Sequence, residues 1–272
     1  LAPRAPTDTW NLWHEGHIDG LFQRLIENLV VFEDVDPDRV YLLGYSAGGD
    51  GVYQLGPRMA DFWAAAAMMA GHPNGVSLLA LRNVPFALQV GANDSAYSRA
   101  RVGRDYGRML EELRAGDPGG YPSFVKIHDG KGHWMDREDA VALPWMATHS
   151  RNPVPDRVVW QQAGRTHERS YWLAVPPGAA RPGTLVSARR DGQRITIEGG
   201  VDVPRLVVRL DDRMVDLDRP VRIERGERTL FEGVPPRTIT GLWGCLADRA
   251  DAALMFPAAT TVELEQPARS CP

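Results

Sequence analysis

Residues 40–49 read Val40-Tyr41-Leu42-Leu43-Gly44-Tyr45-Ser46-Ala47-Gly48-Gly49. The run 40–43 is apolar without alternation and follows the breaker Asp36-Pro37-Asp38, the pattern of a strand buried on both faces. It passes directly into a Gly-x-Ser-x-Gly turn, with a helix expected near 47–60. A serine on so sharp a strand-to-helix turn is strained and needs small neighbours, and Gly44, Ala47, Gly48 and Gly49 meet that demand. The arrangement predicts that the Ser46 hydroxyl projects above a sheet.

Working outward, Ile18, Leu21, Phe22, Leu25, Ile26, Leu29 and Val30 recur at steps of three and four. They predict a helix over 15–33 whose apolar face packs broadly on that sheet. Apolar runs at 64–70, 84–91 and 123–128 then alternate with helical stretches near 97–114 and 136–148. Strands separated by helices imply βαβ units, a parallel sheet and right-handed crossovers.

The texture changes after residue 150. Residues 150–156 read as a linker, followed by strand-like pieces at 171–175, 184–188, 194–198, 205–210, 221–224 and 261–265, with one helix near 242–253. In 205–210, Leu206, Val208 and Leu210 alternate with a more polar face, as in a half-exposed antiparallel strand. The expected organisation is an α/β domain over 1–150 and a small β-rich domain, a sandwich candidate, over 151–272.

Composition narrows the function classes. The 272 residues carry 31 basic and 35 acidic side chains, a net charge of −4, without a long Lys/Arg run. Nucleic-acid binding needs clustered cations, so no nucleic-acid partner is expected. The longest apolar stretch, 62–70, is far short of the roughly 20 residues of a membrane-spanning helix, and no signal-peptide pattern opens the chain. Cys245 and Cys271 are too few for a disulfide framework and are read as reduced thiols ahead of a bridge. The compartment stays open between cytoplasm and exterior.

A serine hydroxyl is a weak nucleophile and needs a general base, itself oriented by a third group. The run 84–91 ends in Ala92-Asn93-Asp94, and 123–128 is followed by Asp129-Gly130-Lys131-Gly132-His133-Trp134. Ser46, Asp94 and His133 therefore each follow a strand, in that chain order. Of the competitors, His128 reads as packed on its strand, Asp129 as a turn former, Asp136 as a helix N-cap and Asp50 as a first-turn residue complementing the helix dipole.

By these motifs residues 1–150 resemble the α/β-hydrolase superfamily, with Ser46, Asp94 and His133 at the positions of its catalytic triad. Residues 44–49 are similar to the elbows of polyhydroxybutyrate-depolymerase-type and feruloyl-esterase-type enzymes and of phospholipase/carboxylesterase-like hydrolases. The resemblance implies cleavage of a small-molecule or polymer ester through an acyl-enzyme, without cofactor or metal. It also implies an oxyanion donor at the Ala47 N–H and a second donor from a loop outside these residues.

Tyr45, Trp10, His72 and Trp134 are pocket candidates, with Trp13 beside them. His14, Glu15 and His17 complete no metal-ligand set. The superfamily's sheet usually has eight strands and these residues supply four, so the 40–43 strand would expose an edge. An N-terminal segment or a partner chain is expected to pair with it, and a solvent-exposed 40–43 edge would count against that expectation. Two other readings stand beside the esterase. A prolyl-oligopeptidase-type peptidase is disfavoured by domain order, and a non-catalytic binding protein on a hydrolase scaffold is disfavoured by the intact triad.

Overall fold

A computed structural model describes residues 1–4, 7–162, 167–199 and 203–264. The chain divides into two compact units, Leu1–Asn152 and Pro153–Pro272. The first contains α1 (Gly16–Phe32), β1 (Tyr41–Tyr45), α2 (Ala47–Arg58), β2 (Ala65–Met69), β3 (Phe86–Gly91), α3 (Arg99–Gly116), β4 (Ser123–His128) and α4 (Ala142–Ala147).

The four strands form one parallel sheet in the order β1-β2-β3-β4. The register aligns Tyr45 with Met69 and Gly91 with His128, so the carboxyl ends of β1, β3 and β4 open on one edge. Loops leaving that edge can share a site, as in open α/β sheets generally. Every residue of β2 and β3 is buried, as expected for central parallel strands covered on both faces. A buried ion pair, Arg58 Nη2 to Asp19 Oδ1 at 2.6 Å, ties α2 to α1. Arg151 binds Asp38 Oδ1 through Nε (2.9 Å) and Nη2 (2.7 Å) and the Asp61 carbonyl through Nη1 (2.8 Å), fastening the end of this unit to its body.

Three expectations need correction here. The 40–43 strand is not buried on both faces. It runs Tyr41–Tyr45 and is mostly half-buried, with Leu43 50% exposed, because β1 is the outermost strand. Among the described residues no strand pairs its outer edge, and its shortness is one way natural sheets limit edge pairing. The apolar face of α1 is also only partly buried: Ile18 and Phe22 are buried, Leu25, Ile26, Leu29 and Val30 are half-buried, and Leu21 is exposed. Finally, 136–148 is not one helix. Asp136 and Arg137 have φ of 53° and 65°, incompatible with a helix start, so a 3-10 turn (Glu138–Val141) precedes the short α4.

The second unit holds β5 (Arg157–Gln161), β6 (Arg169–Ser170), β7 (Leu173–Ala174), β8 (Leu185–Asp191), β9 (Arg194–Ile197), β10 (Arg205–Leu210), β11 (Val221–Arg225), β12 (Arg228–Gly233), α5 (Ile239–Arg249) and β13 (Ala258–Glu263). They form a four-stranded sheet, β13-β10-β7-β6, and a five-stranded one, β12-β11-β9-β8-β5. All pairings are antiparallel except β9 with β11. In β10, Leu206, Val208 and Leu210 are fully buried. The sequence reading omits β5, β6 and β12. Thr238 caps α5 by accepting from the Gly241 N–H at 3.0 Å, so the helix begins at Ile239, ahead of the expected 242. Cys245 is buried; Cys271 and residue 265 lie outside the described residues. Among the described residues no helix is long and apolar enough to cross a membrane.

Candidate active site

Ser46 joins β1 to α2 with φ 55° and ψ −120°, a conformation that side chains disfavour by about 1–3 kcal/mol. Two backbone bonds hold it there. Its N–H donates to the Met69 carbonyl at 2.9 Å, and its own carbonyl accepts the Asp50 N–H at 3.0 Å. A Cβ on Gly44 would overlap the Gly48 carbonyl, and one on Gly49 would lie 2.6 Å from the Met69 carbonyl oxygen. The turn therefore excludes side chains at both positions. Gly48 differs, since a Cβ there meets nothing within 4 Å.

The segment bearing Asp94 follows β3 and the segment bearing His133 follows β4, and the two are laced together. Ala92 N–H donates to the His128 carbonyl (2.9 Å), Asn93 N–H to the Lys131 carbonyl (2.8 Å) and Asp94 N–H to the Gly91 carbonyl (3.1 Å). A Cβ at Gly91 would strike the carbonyls of Lys131 and Gly132, so only glycine lets the histidine loop close over the end of β3. Lys131 Nζ reaches Asp136 Oδ2 and Glu138 Oε1, both at 2.8 Å. That contact holds the Glu138 carboxyl below its ordinary pKa and raises the lysine's.

These loops bring three distant side chains into one chain of hydrogen bonds. His133 Nε2 lies 2.9 Å from Ser46 Oγ, and His133 Nδ1 lies 2.7 Å from Asp94 Oδ2. An ionised carboxylate only accepts, so Nδ1 carries the proton and Nε2 is left to accept from the Ser46 hydroxyl. The Asp94 side chain is 1% exposed and the His133 ring 42%, so the acid is enclosed while the imidazole faces outward. Such an arrangement can deprotonate a hydroxyl and stabilise the resulting imidazolium. Ala47 is the first residue of α2, so its N–H has no intrahelical acceptor and stands at the positive end of the helix dipole.

The remaining candidates separate. The Tyr45 hydroxyl donates to the His133 carbonyl and accepts the Met135 N–H at 3.3 Å; burial raises the pKa of this phenol. Its ring lies 5.9 Å from that of His133 and 5.8 Å from that of Trp134, which is exposed. The His72 N–H donates to Asp50 Oδ1 (2.6 Å) and its Nδ1 lies 2.8 Å from Asn74 Oδ1. Trp10 is exposed, and among the described residues no hydrogen bond or ring contact joins it or His72 to Ser46. Trp13 packs against Phe22, with centroids 6.0 Å apart, and against α2 at Gly51.

His128 is buried, with Nε2 2.9 Å from Gln89 Oε1. Glu15 accepts from the Asn11 side chain at 2.6 Å, and no group of three or more potential metal ligands occurs among the described residues. The sequence reading did not single out Lys131 or Gly91. Gly91 was legible only as the end of an apolar run, since the carbonyls that demand it lie 40 residues downstream and beyond.

No family model matches the chain, and no curated protein matches it. Solved structures with which it shares similarity include a thermostable esterase (TM-score 0.40, 18% identity, over 50% of this chain and 38% of that one). A carboxylesterase from Bacillus cereus gives TM-score 0.38 and 17% identity over 48% of this chain and 60% of that one. A carboxylesterase from Mesorhizobium loti gives 0.36 and 19% over 48% and 60%. The chain thus spans between 38% and 60% of the length of these proteins.

Proposed function

We propose that the chain is a serine hydrolase that cleaves carboxylic esters by acyl transfer. One observation carries this reading: the unbroken series Ser46 Oγ, His133 Nε2, His133 Nδ1 and Asp94 Oδ2, with steps of 2.9 and 2.7 Å, on a strand-turn-helix that strains the serine. Ser46 attacks the ester carbonyl while His133 takes its proton. Asp94 holds the imidazole in the required tautomer and stabilises its charged form. The Ala47 N–H receives negative charge developing on the carbonyl oxygen. His133 then protonates the leaving alkoxide, and water, deprotonated by the same imidazole, releases the acid. On this reading residues 1–150 are the catalytic domain and 151–272 an accessory β-rich domain, with Trp134 beside the reacting carbonyl.

A fluorophosphonate probe tests it. The protein should label at one serine, and Ser46→Ala should remove both labelling and hydrolysis of p-nitrophenyl acetate. Absence of labelling in the unaltered protein would favour a binding role, and turnover of a dipeptide amide without ester turnover would favour a peptidase.

A further inference from the structure

We propose that Tyr45 positions the general base, using one phenol to fix the backbone of the histidine loop to the residue before the nucleophile. This rests on the acyl-transfer reading above and adds to it a residue that acts through the general base.

The geometry is specific. The Tyr45 hydroxyl donates to the His133 carbonyl and accepts the Met135 N–H, so it holds the backbone on both sides of Trp134. Those partners lie 88 and 90 residues away in sequence, and no secondary-structure ladder satisfies them. Meeting both with one side chain requires a group that donates and accepts, and a phenol does both.

Tyr45 is covalently joined to Ser46, so the same strut that fixes the His133 backbone starts from the nucleophile's own neighbour. Packing reinforces it: the Tyr45 ring meets the rings of His133 and Trp134, and Met135 is buried beside Met69 and Ala70. The His133 ring is 42% exposed, so where Nε2 points depends on Asp94 and on how the backbone of its loop is held. Burial raises the Tyr45 pKa and keeps the hydroxyl protonated, as its donor role needs.

The test is Tyr45→Phe, which keeps the ring and removes the hydroxyl. Tyr41→Phe is the matched control, because Tyr41 also donates its hydroxyl to a distant carbonyl, that of His149 at 2.8 Å, but away from the site. With p-nitrophenyl acetate, Tyr45→Phe should lower kcat and kcat/KM together by about tenfold or more, with KM unchanged and fluorophosphonate labelling slowed alike. Tyr41→Phe should leave all three at the unaltered protein's values, with thermal melts reporting the fold of both variants.

A Tyr45→Phe kcat within twofold of the unaltered protein overturns the proposal. Equal losses in both variants also overturn it, since they would reflect general loosening. If the unaltered protein neither labels nor hydrolyses, the acyl-transfer reading falls and this inference falls with it; if Ser46→Ala alone is inactive, only the role of Tyr45 is refuted.

Discussion

Asp94 is enclosed, and the ring it holds is not. Its Oδ2 receives the His133 Nδ1–H at 2.7 Å, whereas Oδ1 is buried without a hydrogen-bond partner among the described residues. The carboxylate's one strong interaction is therefore with the imidazole, and it dictates the tautomer. In Asp94→Asn, an amide N–H turned toward Nδ1 would make that nitrogen the acceptor and move the proton to Nε2, which could no longer accept from Ser46. The kcat for p-nitrophenyl acetate should fall about 10³- to 10⁴-fold with little change in KM. A loss below tenfold would remove Asp94 from the mechanism. At this scale Ser46, Asp94 and His133 were legible because each follows a strand, and strand ends share an edge. The Tyr45 hydroxyl was not legible in its positioning role, because a phenol's partners depend on which distant loop folds back against it.

The junction between β3 and the loop after β4 is where two elements meet with no room for a side chain. In Gly91→Ala the new Cβ meets backbone carbonyls, which cannot rotate away, so the variant should lose about 1–3 kcal/mol of stability as well as activity. Gly48→Ala should do the reverse. Its Cβ has open space within α2, and alanine in a helix is favoured over glycine by up to about 1 kcal/mol. Urea denaturation of the two variants checks both signs, and equal destabilisation would contradict the contrast.

Element identity followed local pattern where the pattern was complete. Residues 123–128 and 205–210 are strands at those limits. It failed over 136–148, where positive φ at Asp136 and Arg137 delays the helix, and for β1, whose apolar run carries no sign that it forms a sheet edge.

For the molecule as a whole, acid should weaken the Leu1–Asn152 unit. Burial lowers the pKa of His149, whose ring meets Trp145 with centroids 4.6 Å apart, and of His14, where it outweighs the opposing pull of Asp50. A depressed folded-state pKa means that the unfolded chain binds protons first. Stability should hold above the ordinary histidine value of 6.5 and decline as pH falls below it, until the folded-state pKa is passed. Denaturation midpoints at pH 8 and pH 5 should differ, and His149→Phe should narrow the difference; an unchanged difference would rule out the His149 contribution.

The sequence by itself determined the parallel α/β order, the strained serine turn and the placement of Ser46, Asp94 and His133 after strand ends, because periodicity, turn chemistry and strand ends are local properties. Only the tertiary structure decided that β1 is an edge, that Gly91 admits the histidine loop and that Tyr45 clamps it. Each of these depends on which residues far apart in the chain occupy neighbouring space, and local pattern does not encode that.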